Sequence, residues 1–128
     1  SPNSGYSTYL GRYPGDDYVD ILGLDYYFFD WNRNNENTFF RELRTTVNLA
    51  NERGKISALT ETGYETIPDE DWFTNKVVEP IKQDSVTRQL AYFLVWRNAT
   101  HTHHYAPFPS HSAEDEIMRP RDWPRMPA

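Results

Sequence analysis

The chain has 128 residues, a net charge of −6, no cysteine, and 25% charged against 38% apolar residues. That is one domain's worth of folded rather than disordered chain. The acidic balance excludes a phosphate-binding nucleic-acid surface, the lack of cysteine excludes disulfides, and no stretch approaches the ~18 apolar residues of a membrane-spanning helix.

Taken in chain order, SPNSGYSTYLG (residues 1–11) reads as a loop. DYVDILGLDYYFF (17–29) is apolar on successive residues, as strands buried on both faces are. In 37–53, Phe40, Leu43, Val47 and Ala50 fall on one helical face, and Gly54 stops that helix. KISALTETG (55–63) is a second strand whose apolar run ends at Leu59, yet the chain continues through Thr60, Glu61 and Thr62 before Gly63 turns it. In 71–84, Phe73, Val77 and Ile81 repeat every four residues; acids at 69–71 suit the helix start, and Pro80 kinks or shortens the helix. LAYFLVWRNA (90–99) is a third strand, followed by a long loop and, from Ser112, a capping-box-like start of a short helix.

Strands separated by helices make a βαβ repeat, hence a parallel sheet with right-handed crossovers. Two architectures fit, a small doubly wound domain or part of a (β/α)8 barrel, which takes about 250 residues in full. The strand ends favour the barrel. Asp25-Tyr26-Tyr27, Thr60-Glu61-Thr62 and Trp96-Arg97-Asn98 gather carboxylate, phenol, indole and guanidinium where barrels carry their active sites. Each cluster alone has a plainer reading: a strand-end Asp caps a loop, and a lone Glu pairs with an Arg. Aromatics at 16% fit either a Tyr-rich core or a cleft on which sugar rings stack.

RYPGDDYVDILGLDYY, ALTETGYE and VWRNA followed by HHYAPFPSH resemble glycoside hydrolase family 26, chiefly bacterial endo-β-1,4-mannanases, collinearly over residues 1 to 117. The resemblance implies strands six to eight, the C-terminal part of a (β/α)8 TIM barrel, over 1–118, with a Pro/Arg-rich tail at 119–128. It implies retaining hydrolysis of β-1,4-mannosidic linkages, with Glu61 as nucleophile and Tyr27 donating the hydrogen bond that orients it. Asp25, Trp96 and Arg97 are implied to contact substrate, Trp96 as the floor for the sugar; for Arg97 a simple ion pair stays open. No cofactor and no metal are implied. Implied partners are β-mannan or manno-oligosaccharide and an N-terminal part of the barrel carrying the acid/base Glu. The implied location is secreted, periplasmic or cell-surface.

No His-Glu pair of the kind that carries the family's acid/base occurs in the sequence. Three strands cannot close a barrel. The expectation is therefore a part of a longer protein, incomplete on its own and inactive on mannan in isolation, or else copies that pair their open edges. Hydrolysis of xylan or mixed-linkage glucan, and glycan binding without cleavage, are the alternatives. The four histidines, 101, 103, 104 and 111, fit no familiar zinc spacing and read as a substrate-side or packed loop. Asn98-Ala-Thr100 reads as an accidental sequon, and Trp72 as a helix staple or an extra sugar platform.

Overall fold

The computed structural model describes residues 4–31, 36–100 and 102–106. Three parallel strands, β1 (Ile21–Phe28), β2 (Ile56–Tyr64) and β3 (Phe93–Val95), form one sheet in the order β1-β2-β3. The βαβ pattern read from the sequence is therefore present. Its opening is not a loop: Ser4–Leu10 form a helix, α1. Tyr6, Tyr9 and Leu10 pack around Leu22, Leu49 and Ala50, so the apolar residues of the opening serve a small second core.

Helix α2 (Glu36–Glu52) covers one face of the sheet with Leu43, Val47 and Ala50, as their spacing predicts. The inward phenylalanine is Phe39 rather than Phe40, which is only half-buried. Phe39 meets the edge of Phe28 and packs on Tyr26. The helix ends as expected at Gly54, whose φ of +65° is one that glycine adopts without Cβ strain. There Lys55 N donates to Ala50 O at 2.8 Å and Gly54 N to Asn51 O at 3.3 Å, a Schellman ending that satisfies two orphan carbonyls.

The second crossover is a π-helix over Phe73–Val78 running into α3 (Glu79–Gln83). Pro80 lies in the first turn of α3, where its missing N–H is least costly, and the wider π turn precedes it. Phe73, Val77 and Ile81 are buried together with Phe28, Leu43, Leu59 and Tyr64. Trp72 is 1% exposed within the same core, which overturns its reading as a sugar platform. Asp69 Oδ1 accepts from Asp71 N at 3.0 Å, an Asx turn just ahead of the helix, which itself has no side-chain cap.

β3 is much shorter than the apolar run 90–99 suggests. It pairs with β2 only at Leu59–Phe93 and Thr62–Val95, and Tyr92, Phe93 and Leu94 are exposed. Among the described residues no strand pairs with the outer edge of β3, so none of them holds a longer third strand flat. The helix expected from Ser112, the tail 119–128, and His101 and His111 lie outside the described residues.

Candidate active site

β1 and β2 pair in register from Ile21–Ile56 to Leu24–Leu59, then slip so that Asp25 stands opposite Glu61. Thr60 is the extra residue of a β-bulge, a device that re-aims the side chains beyond it. Gly23 admits it: a Cβ on Gly23 would lie 2.4 Å from Thr60 Oγ1. The Thr60 hydroxyl donates to Asp25 Oδ1 at 2.7 Å, with Leu24 O at 3.1 Å as its second acceptor. The bulge thus shifts the register and fastens the Asp25 carboxylate in the same step.

Beyond the bulge, Asp25 and Tyr27 point to one face of the sheet, being two residues apart on a strand. Tyr27 Oη donates to Glu61 Oε2 at 2.6 Å. Burial pushes the Tyr27 phenol well above its ordinary range, and the Glu61 hydrogen bond and nearby carboxylate charge push it further. It therefore stays a donor at any ordinary working pH. Among the described residues nothing donates to Glu61 Oε1, so half of this carboxylate is held and half is open.

Gly63 does not turn the chain, contrary to the sequence reading; β2 runs through it to Tyr64. The glycine is needed for close approach, since a Cβ there would stand 2.4 Å from Cδ1 of Tyr105. That ring fills the gap and meets Tyr27 edge-on, with centroids 5.5 Å apart. The turn comes later, at Thr66 (φ 63°) and Ile67 (φ 50°). A left-handed β-branched pair costs about 1–3 kcal/mol per residue and is held only where its surroundings fix it. Here Thr66 N donates to His104 O at 2.8 Å and Ile67 is buried.

The segment after β3 folds back over the end of β2. Asn98 Oδ1 accepts from both Tyr105 N and Ala106 N at 3.0 Å, so the sequon asparagine is spent on its own loop. His103 Nδ1 lies 2.5 Å from Glu65 Oε1. No cluster of three metal-ligating side chains occurs among the described residues. Trp96 is half-buried, and its N donates to Thr62 O at 2.9 Å, which ties it to the residue after Glu61. Arg97 is exposed and pairs with no acid among the described residues.

Glu61 and Tyr27 are therefore brought together side chain to side chain, Asp25 stands opposite Glu61 in the register and is held by Thr60, and Trp96 is joined to them through backbone. Arg97 follows Trp96 in the chain with no contact to the others. The sequence reading takes Thr60 only as part of the strand-end cluster and Tyr105 only as part of HHYAPFPSH, with no positioning role for either. Gly23 and Gly63, each inside a strand pattern, were the signals for them, since such a glycine marks a bulge or a close approach.

The sequence profile of the family described as "Glycosyl hydrolase family 26" matches residues 1–112. A mannan endo-1,4-beta-mannosidase of Bifidobacterium adolescentis is 30% identical over 109 residues, which is 75% of this chain and 11% of the relative. A β-mannanase of the same family from Bacteroides ovatus superposes with a TM-score of 0.71 at 39% identity, covering 91% of this chain and 33% of that one. A modular endo-β-1,4-mannanase from Cellulomonas fimi gives 0.71 at 36%, covering 90% and 26%. The chain thus spans a ninth of that curated relative and a third or less of those solved structures. Its parallel α/β sheet corresponds to part of their barrels.

Proposed function

Because the chain belongs to glycosyl hydrolase family 26, we propose that it supplies the nucleophile side of a retaining β-mannanase site. On this reading β1, β2 and β3 are strands six, seven and eight of a (β/α)8 barrel. The remaining strands cover the open sheet edges and carry the acid/base Glu. Glu61 is the nucleophile, and Tyr27 holds one of its oxygens. Asp25 and Arg97 take sugar hydroxyls, and Trp96 is the apolar floor. Residues 1–118 form the catalytic part and 119–128 a tail. Action on an extracellular polysaccharide places the protein outside the cell or at its surface.

The chemistry needs two carboxyl groups about 5–5.5 Å apart. The open oxygen of Glu61 bonds to the anomeric carbon of a β-1,4-linked mannose as the glycosidic C–O bond breaks. The leaving oxygen takes its proton from the acid/base Glu. That group, now a base, draws a proton from water, whose oxygen attacks the same carbon and releases Glu61 as a carboxylate. The sugar keeps its configuration after two inversions.

The observation that carries this reading is the Tyr27–Glu61 hydrogen bond, 2.6 Å at a strand end, with the second carboxylate oxygen open. In the complete enzyme, Glu61→Ala is expected to lower turnover of mannan by about 10⁴-fold or more, while calorimetry still registers mannohexaose binding. Full activity in that variant would end the assignment. Binding with no cleavage by the unaltered enzyme would favour a glycan-binding role instead.

A further inference from the structure

Just past β1 the chain reads Phe28-Phe29-Asp30-Trp31, and its middle residue is pinned. Tyr64 is 4% exposed, and its phenol donates to Asp30 Oδ1 at 2.6 Å. Holding Asp30 against Tyr64 turns its two neighbours the other way. Phe29, 43% exposed, and Trp31 stand side by side, rings stacked at 5° with centroids 5.7 Å apart. Trp31 is 81% exposed. Leaving an indole in water costs apolar burial that the fold takes up elsewhere for Phe28 and Trp72. Nothing in the packing of the core calls for Trp31 at this place.

Position gives the pair a use. It follows β1 at the end of the sheet where Asp25, Tyr27 and Glu61 lie. From Asp25 to Trp31 is six residues, at most about 20 Å of chain. A polysaccharide seated at Glu61 extends several sugar units along this rim. A β-linked sugar presents alternating apolar C–H faces and hydroxyl edges. A flat, pre-stacked aromatic pair meets the first by C–H···π contact without losing side-chain freedom on binding, since the rings already hold each other.

We propose that Phe29 and Trp31 form a remote glycan subsite, a two-ring platform for sugar units of the chain whose linkage is cut at Glu61. This rests on the proposed function for its ligand, a β-1,4-linked hexose polymer. Trp31 is the contact residue, Phe29 backs it, and the Tyr64–Asp30 hydrogen bond sets their direction.

The test compares Trp31→Ala and Trp31→Phe with the unaltered complete enzyme on mannotriose and mannohexaose, and measures mannohexaose binding calorimetrically in the Glu61→Ala background. Trp31→Ala is expected to raise KM for mannohexaose by about 3- to 10-fold with kcat unchanged. Kinetics on mannotriose should stay as they were, and Trp31→Phe should recover most of the loss. Calorimetry should show the same 3- to 10-fold weakening without any turnover. Equal loss on both substrates would mark Trp31 as structural and overturn the proposal, as would unchanged values on both. If Glu61→Ala still cleaves mannan, the catalytic assignment fails, yet the calorimetric comparison still decides whether the rings hold sugar.

Discussion

The two flanks of β2 are built differently. Towards β1, side chains interlock: Gly23 makes room for Thr60, Thr60 fastens Asp25, and Tyr27 grips Glu61. Towards β3, the ties are backbone bonds, Ala91 N to Ser57 O at 2.9 Å and Trp96 N to Thr62 O at 2.9 Å, along a strand whose side chains are largely exposed. The proposed reacting group is thus aimed by contacts within this chain. Asp25, proposed to take a sugar hydroxyl, is fastened on the same flank, whereas Trp96 and Arg97 depend more on what packs around them. On the proposed reading the reacting carboxylate sits on the locked flank, and the apolar floor and the guanidinium sit on the looser one.

Breaking the locked flank should have the larger effect. Tyr27→Phe removes one hydrogen bond to a charged partner, about 1.5–3 kcal/mol, and so is expected to lower kcat about 10- to 100-fold with little change in KM. A loss of thermal stability with kcat unchanged would show that Tyr27 serves the fold and not the carboxylate. The raised phenol has a second consequence. Its folded value exceeds the unfolded one, so its contribution to stability is full below about pH 10 and is lost as pH rises through the folded value. In a spectrophotometric titration Tyr27→Phe should accordingly lose only absorbance that develops above the ordinary tyrosine range, and its curve should overlay that of the unaltered protein at lower pH.

Gly63→Ala tests whether the looser flank reaches the locked one through Tyr105. The new Cβ runs into the buried Tyr105 side chain, and overpacking of this kind costs about 1–3 kcal/mol. Displacing Tyr105 also frees Tyr27, so kcat should fall about tenfold, within that same cost. Tyr105→Phe keeps the ring and should behave as the unaltered enzyme. Gly63→Ala combined with Tyr105→Ala should be more stable than Gly63→Ala alone, because the clash is gone. Strict additivity of the two changes would show that the residues do not meet.

Much of this is legible in the sequence. Apolar runs and four-residue repeats placed β1, β2 and both crossovers, because burial on two sheet faces and one helix face leaves a direct pattern. Tyr27 and Glu61 were named by resemblance, and the structure brings them to 2.6 Å. The bulge was not legible. Local pattern does not distinguish Thr60 as an extra residue from Thr60 as the next residue; only the partner strand makes it extra. Gly63 was misread for the same reason, since its role depends on Tyr105, forty-odd residues away. The length of β3 depends on a neighbour on its far edge, which no local propensity encodes.

The smallest expected effect sharpens the comparison from the looser flank. Arg44 on α2 forks onto Asp84, with Nε to Oδ2 at 3.0 Å, and Asp84 Oδ2 also accepts from Thr87 N at 3.1 Å. This pair anchors the segment that leads into β3. The Arg44 hydrogen bonds draw the Asp84 carboxyl down to about 2 against some opposition from burial, and Thr87 N adds to the lowering. A depressed folded value means a contribution present above the ordinary carboxylate range and lost as pH falls through about 2. Arg44 is 55% exposed, so solvent screening leaves the pair only a small contribution. Arg44→Ala should therefore speed amide exchange at Ala91 and Trp96 near neutral pH by less than about fivefold, leaving the amides between β1 and β2 unchanged. The difference from the unaltered protein should shrink between pH 4 and 2, the window set by the Asp84 shift. If exchange quickens equally on both sides of β2, the two flanks are one cooperative unit and the division between a locked and a looser flank does not hold.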